Sequence, residues 1–281
     1  VKPHTCVSSV LAEIKDKLNR AGTPDPGLES ELILAEATGI PRLELLLARD
    51  RILKPHETRK AISFLLRRVQ HEPLQYIFGK AYFRNLVLKV GPDVLVPRPE
   101  TELLVELAMK LAPKNSKVLD IATGSGAIAL SLAQERPDLK VYASDISPAA
   151  LWLAKKNRLL NKTCKINFRR SDLLKDIRGK FCVITANLPY ISAKSYAALP
   201  REIRRFEPKS ALIAGKDGLK FISRLIAAAH KSLEPDGHLI LEISPEQKKQ
   251  IICFFKDSKK YSTIEFKKDL CGKIRFCILK K

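Results

Sequence analysis

KVLDIATGSGAIALSLA, residues 117–133, joins an apolar strand to an apolar helix through a loop of small side chains. Val118, Leu119, Asp120 and Ile121 read as the strand. Ala122, Thr123, Gly124, Ser125 and Gly126 are the loop, and Ile128, Leu130 and Leu132 continue into a helix that stops before Pro137. Residues this small let a ligand approach backbone amides at a helix start. Strand, glycine turn and helix in that order open a nucleotide-type α/β fold, whose ligand sits beyond the carboxyl ends of the strands. The loop lacks the Gly-Lys-Ser/Thr ending of a phosphate loop, and its glycines do not complete the G-x-G-x-x-G of a dinucleotide site. Lys140–Asp145 is a second strand that ends in an acid about twenty residues further on, where a carboxylate can accept both hydroxyls of a ribose. Both features suit an adenosine cofactor without a pyrophosphate. An ordinary strand-to-helix connection with a surface Asp is the competing reading of the loop taken alone.

Downstream, SPAALWLAKKNRLLN is a helix capped by Ser147 with Pro148 in its first turn, and Trp152 reads as core. The third strand, Lys165–Arg170, closes at Asp172-Leu173, where an acid and an apolar side chain can hold an exocyclic amine and a flat base; a turn-capping Asp is the alternative. The fourth, Phe181–Ala186, runs into Asn187-Leu188-Pro189-Tyr190. Pro189 keeps Leu188 out of helical conformation, so carbonyls and the Asn187 amide stay beyond the strand end. Such a corner offers acceptors to a planar amine and a ring to pack on it; an Asn turn followed by a packed Tyr is the plainer alternative. The turn Glu234-Pro235-Asp236-Gly237 leads into the strand His238–Ile243. Tyr261–Lys267 and Ile274–Leu279 close the sheet as an antiparallel pair. The expected architecture is α/β: a seven-stranded, mostly parallel, Rossmann-like sheet.

Residues 1–75 read as helices only. Val7, Val10, Leu11, Ile14 and Leu18 form one stripe, and Leu28, Leu32 and Ala35 a second, closed by Gly39. Pro41 and Pro55 hold first-turn positions, the second opening a helix with Ile62, Leu65, Leu66 and Val69 on one face. Residues 76–98 change texture: Phe83, Leu86, Leu88 and Val90 flank Arg84-Asn85 and read as a hairpin between domains. VPRPETE follows, with Glu100 and Glu102 beside a helix start, where by composition alone they stabilise the helix. The expected domains are therefore 1–75, a 76–98 linker and 99–281.

With 281 residues and 45% apolar content the chain can bury an ordinary core. No apolar run approaches the roughly 18 residues of a membrane span, and the start lacks a basic region followed by an apolar core, so the cytoplasm is expected, with an organelle matrix as the alternative. Cys6, Cys164, Cys182, Cys253, Cys271 and Cys277 form no C-x-x-C pair and the histidines are scattered, so neither disulfides nor a metal site are expected. Cys182 reads as a small buried hydrophobe. A net charge of +21 attracts polyanions such as RNA or a ribonucleoprotein, although lysine spread over the whole chain gives the same excess.

YIFG with Phe83, VPRPETELLVE, TGSGAIAL, Asp145, the Asn-x-Pro-Tyr corner, EPKSALIAGKDGL, LEIS and DLCGKIRF together resemble the PrmC/HemK family of S-adenosylmethionine-dependent methyltransferases. That family methylates the glutamine of the Gly-Gly-Gln loop in class-one peptide chain release factors. VPRPETE is the most specific of these motifs and overrides the purely stabilising reading of its acids. The resemblance implies that Ala122, Thr123, Gly124, Ser125 and Gly126 cradle the methionine end of S-adenosylmethionine, that Asp145 holds its ribose, and that Asp172 and Leu173 border its adenine. It implies that Asn187, Leu188, Pro189 and Tyr190 hold the substrate amide, with Asn187 also at the cofactor and Asn187 and Tyr190 as the catalytic pair. Class-one release factors are the implied partners, recognised in part by the helical domain, with a monomeric enzyme, transient RNA or ribosome contact and no membrane. Two positions depart from the family pattern: Ala122 replaces its usual Gly, and Leu188 the first Pro of Asn-Pro-Pro-Tyr. Asn-Leu-Pro-Tyr also resembles the corner of ribosomal RNA adenine dimethyltransferases. An RNA adenine substrate, a glutamine of a ribosomal protein, or a non-catalytic binding role with the pocket blocked by Ala122 are the rival expectations.

Overall fold

Lys80–Phe83 (β1) and Leu86–Lys89 (β2) pair antiparallel across Arg84-Asn85, as their alternating apolar residues require. The main sheet follows as β3 (Lys117–Ile121), β4 (Lys140–Asp145), β5 (Asn167–Arg170), β6 (Phe181–Ala186), β7 (Leu233–Glu242), β8 (Thr263–Lys268) and β9 (Ile274–Lys280). Its order is β5-β4-β3-β6-β7-β9-β8, parallel except where β9 runs antiparallel to both β7 and β8. This computed structural model describes residues 6–163 and 165–281, so the reading of Cys164 lies outside the described residues.

Alternation along β3 feeds two cores. Val118 joins Val141, Val183 and the helix Ala127–Glu135 on one face, whereas Leu119 and Ile121 join Ile184, Leu241 and the helix Lys220–Ala229 on the other. Both faces being covered, β3 and β6 carry near-continuous apolar runs. From β3 the chain winds outward to β4 and β5, then returns beside β3 as β6 and proceeds to β7. The strand order therefore reverses between β3 and β6, where Ile121 pairs with Ala186 and the next residues, Ala122 and Asn187, leave the sheet side by side. An open α/β sheet places its ligand at such a switch point.

Three expectations are corrected. Trp152 is 58% exposed, with the Lys156 Nζ 3.5 Å from its ring centre. The helix Pro148–Leu160 instead turns Ala150, Leu151, Ala154 and Asn157 inward. Only small residues fit there, because a side chain at Gly126 would already lie 3.1 Å from the Ala154 Cβ. The turn expected at residues 234–237 is a bulge within β7: Phe181 pairs with Leu233 and Val183 with His238, leaving Asp236 looped out at φ 60°. The third strand begins at Asn167, two residues later than expected.

A separate helical unit comprises the described residues up to Gly79 together with Pro200–Phe206. Its helices are Val7–Arg20, Pro26–Thr38, Arg42–Leu47, Pro55–Arg68, Leu74–Phe78 and Arg201–Phe206. Val7, Val10, Ile14 and Leu18 are buried as their spacing predicts, but Leu28 is exposed and its helix buries Glu29, Ser30, Ile33, Leu34 and Ala37 instead. The cause is an ion pair. Glu29 accepts two 2.7 Å hydrogen bonds from the buried Arg68 guanidinium, which also donates to Glu202 at 2.8 Å. A buried guanidinium without those carboxylates would be strongly destabilising, so the pairing sets the face that each helix turns inward. The same preference leaves Leu66 exposed on the helix that carries Arg68. Among the described residues no helix is long and apolar enough to cross a membrane, and no cluster of His, Cys, Asp and Glu could hold a metal.

Candidate functional site

A cavity of about 340 Å³ opens at the switch point. Ala122, Thr123, Gly124 and Ser125 wall one side, Asp145 and Asp172-Leu173 the second, and Asn187, Leu188 and Pro189 the third. Gly126 and Tyr190 are not on its wall. Gly126, at φ 88°, instead seats the helix Ala127–Glu135 against Ala154. The Tyr190 ring packs against the second core, and its hydroxyl points at Glu242, 3.4 Å away.

Asp145 ties the loop to the end of β4. Its Oδ2 accepts from the Gly124 N–H and its Oδ1 from the Ser147 N–H, both at 2.9 Å, and burial raises its pKa. A carboxylate has about four acceptor positions, so two remain for hydroxyls in the cavity. Asp172 is less free, being paired with Arg224 at 2.7 Å. Ala122 and Leu173 both hold left-handed backbone conformations, at φ 55° and φ 53°. That conformation costs a side-chain-bearing residue about 1–2 kcal/mol, so two residues of the cavity wall carry strain. Ala122→Gly is expected to raise unfolding stability by about 1 kcal/mol in urea titrations, because glycine takes the same conformation without that penalty.

Asn187 sits beyond β6 in a hydrogen-bonded chain that the sequence did not announce. Its Nδ2 donates to the Thr101 Oγ1 at 3.2 Å, and Thr101 Oγ1 donates to the Glu242 Oε2 at 2.7 Å. Tyr190 supplies the second hydroxyl of Glu242. A threonine hydroxyl has one proton, so giving it to the carboxylate leaves Thr101 to accept from Asn187. The Asn187 Oδ1 is thereby turned away from Thr101. Among the described residues, no backbone N–H donates to the Leu188 carbonyl. The corner is braced from behind: Gln247 donates to the Tyr190 carbonyl at 3.2 Å, and any side chain at Gly218 would come within 2.3 Å of that same oxygen.

Two buried acids lie beneath the cavity. Burial pushes the pKa of Asp120 up to about 7 against the Thr185 hydroxyl, which donates to it at 2.9 Å, and burial pushes that of Glu242 up to about 7 as well. In an unfolded chain such groups ionise near pH 4. Between about pH 4 and about pH 7 the folded state therefore binds more protons than the unfolded state, and stability falls as pH rises through that window. Urea titrations at about pH 5 and about pH 8 are expected to show this loss, at most about 1.4 kcal/mol per pH unit for each group. Asp120→Asn is expected to flatten the slope by its own share. Thr101, Asp120 and Glu242 are the site residues that sequence reasoning missed. The available signal was a single acid inside each of two otherwise apolar strands, VLDI and LILEI.

Known proteins match this chain along most of its length. Residues 9–79 match the PrmC N-terminal domain and residues 99–204 the methyltransferase small domain. The release factor glutamine methyltransferase of Nitratidesulfovibrio vulgaris is 34% identical, over 99% of this chain and 96% of that protein. That of Moorella thermoacetica is 40% identical, over 84% and 85%. Among solved structures, the Thermus thermophilus 16S rRNA N2 G1207 methyltransferase, determined with AdoMet and guanosine, aligns with a TM-score of 0.54 at 20% identity, over 72% of this chain and 49% of that one. A methyltransferase from Pyrococcus furiosus aligns at 0.52 and 21%, over 70% and 89%. These two likenesses establish the fold, a Rossmann-like methyltransferase sheet. With sequence matches that run almost end to end and a cavity at the switch point of that sheet, the chain belongs to the release factor glutamine methyltransferase family.

Proposed function

We propose that this protein transfers a methyl group from S-adenosylmethionine to the side-chain amide nitrogen of the glutamine in the Gly-Gly-Gln loop of class-one peptide chain release factors. The observation that carries the reading is the fixed orientation of Asn187 at the rim of the 340 Å³ cavity. The cavity's residues suit the cofactor. Asp145 keeps two acceptor positions for ribose hydroxyls, Leu173 offers an apolar wall to adenine, and the Asp172 oxygen not paired with Arg224 can take an exocyclic amine. Thr123, on the cavity wall, adds a polar side chain near the loop that would hold the methionine end. When bound, S-adenosylmethionine supplies an already activated sulfonium methyl.

An amide nitrogen is a poor nucleophile because its lone pair is delocalised into the carbonyl, so the protein's task is positioning. The Asn187 Oδ1 and the Leu188 carbonyl accept the two hydrogens of the substrate amide, aim its nitrogen into the cavity, and stabilise the positive charge that develops there. Tyr190 limits water at the corner. Glu242 is committed to two hydroxyls and does not reach the amide, so the proton leaves to water after transfer. The helical unit supplies the remote contacts that single out one glutamine among many. The enzyme works as a cytoplasmic monomer, with transient RNA contact through its basic surface.

Transfer of labelled methyl to a purified release factor, to the same factor with its loop glutamine replaced by alanine, and to ribosomal RNA tests the reading. Label on the unaltered factor alone is expected. Label on RNA alone would overturn it in favour of an adenine substrate, whose exocyclic amine the same corner could hold.

A further inference from the structure

The excess positive charge is not evenly spread. Residues 155–180 hold ten lysines and arginines against Asp172 and Asp176, a net +8 of the chain's +21. Lys155, Arg158, Lys165, Arg169 and Arg178 line one open cavity of about 690 Å³ at the β5 edge of the sheet. The sheet unit otherwise satisfies its arginines. Arg84, Arg98, Arg136, Arg224 and Arg275 are each paired with a carboxylate, and Arg170 donates to the Ile146 carbonyl. Among the described residues of that unit, Arg158, Arg169 and Arg178 alone have no such partner, and all three face this cavity.

The cavity exists because the chain crosses from β5 to β6 through a ten-residue turn, 171–180, with no helix. Parallel strands are usually joined by a helix that covers the sheet. Here the half-buried Tyr142, on the face that such a helix would cover, stays accessible beside the cations instead. Charged side chains do protect edge strands, but that needs neither a concavity nor an accessible ring. A basic groove with an aromatic ring suits a chain of phosphates that carries flat bases. Unpaired like charges held this close also repel one another until a polyanion neutralises them.

We propose that this cavity is a docking groove for single-stranded RNA, the five cations contacting successive phosphates and Tyr142 stacking against a base. It extends the RNA contact proposed above and is independent of the methyl acceptor. The turn that borders the groove through Asp176 and Arg178 borders the 340 Å³ cavity through Asp172 and Leu173, so the two sites lie on opposite sides of one short segment.

Fluorescence anisotropy of the full chain with a labelled twelve-nucleotide RNA, across a salt series, tests the proposal. About five phosphate contacts predict a slope of log affinity against log salt near −3.5. The combined Arg158→Glu, Arg169→Glu and Arg178→Glu variant is expected to lose about a hundredfold in affinity. Lys249→Glu with Lys256→Glu and Lys260→Glu, the same charge change elsewhere, is expected to stay within about threefold. Arg178→Gln alone, in the exposed turn, is expected to lose about threefold and serves if the triple variant does not fold. Methyl transfer to an isolated release factor by the triple variant is expected at the normal rate, which separates a failure here from a failure of the methyltransferase reading. Equal losses in both triple variants, a wild-type slope near zero, or heparin competing as well as RNA at equal charge would each overturn the groove.

Discussion

Asn187→Ala is expected to reduce methyl transfer to the release factor by about 10²–10³-fold, the loss typical of removing one preorganised transition-state acceptor or donor. S-adenosylmethionine affinity, read by calorimetry, is expected to change by less than about threefold, because the proposed cofactor contacts, the loop and Asp145, line other walls of the cavity. The effect belongs in kcat. In the proposed reaction Asn187 meets an amide whose nitrogen gains positive charge only as the methyl arrives, so its Oδ1 would bind the transition state more tightly than the ground state. Near-normal turnover would mean that another group holds the amide, and the assignment of Asn187 would fall.

Thr101→Val is expected to lower kcat by about 10–100-fold by releasing Asn187. Valine keeps the shape and removes both hydrogen bonds, so the Asn187 amide is free to turn over and present its NH₂ where an acceptor is needed. Thr101→Ser retains the hydroxyl and is expected to restore activity to within about fivefold of wild type. Glu242 also loses a donor in the valine variant, which raises its pKa further and destabilises the ionised form. Comparing kcat with KM for the release factor separates the two consequences. Loss of orientation lowers kcat per folded molecule, whereas general loosening lowers only the active fraction, and its valine-to-serine contrast disappears at matched folded concentration.

The legible parts of the chain are those that local physics decides. β3, β4 and β6 are apolar runs of strand length between turn residues, and their order around a glycine loop already implies where a ligand sits. Asp145 closes β4, Asn187 follows β6 and Asp172 and Leu173 lie two and three residues beyond β5, so their shared place on the cavity wall was legible from position alone. The missed residues depend on partners far away in the chain. Thr101 and Glu242 are 141 residues apart, and Thr101 and Asn187 are 86 apart. No window of sequence contains either pair. The misread faces have the same origin. Leu28 and Trp152 follow a plausible apolar spacing, but one helix turns toward Arg68 and the other toward the glycine at 126, and each of those neighbours lies in another segment.

The seven residues Pro200–Phe206 belong to the helical unit although the chain on both sides of them belongs to the sheet unit. The polypeptide therefore passes between the units three times, at 79/80, 199/200 and 206/207. The helical unit is for that reason not a detachable module. A fragment ending at Gly79 would lack Glu202 and leave Arg68 with a single carboxylate, and a transplant of the sheet unit onto another recognition domain would carry an orphan helix with it. Gene fusion or exchange of substrate-binding parts within this architecture requires two coordinated splices rather than one.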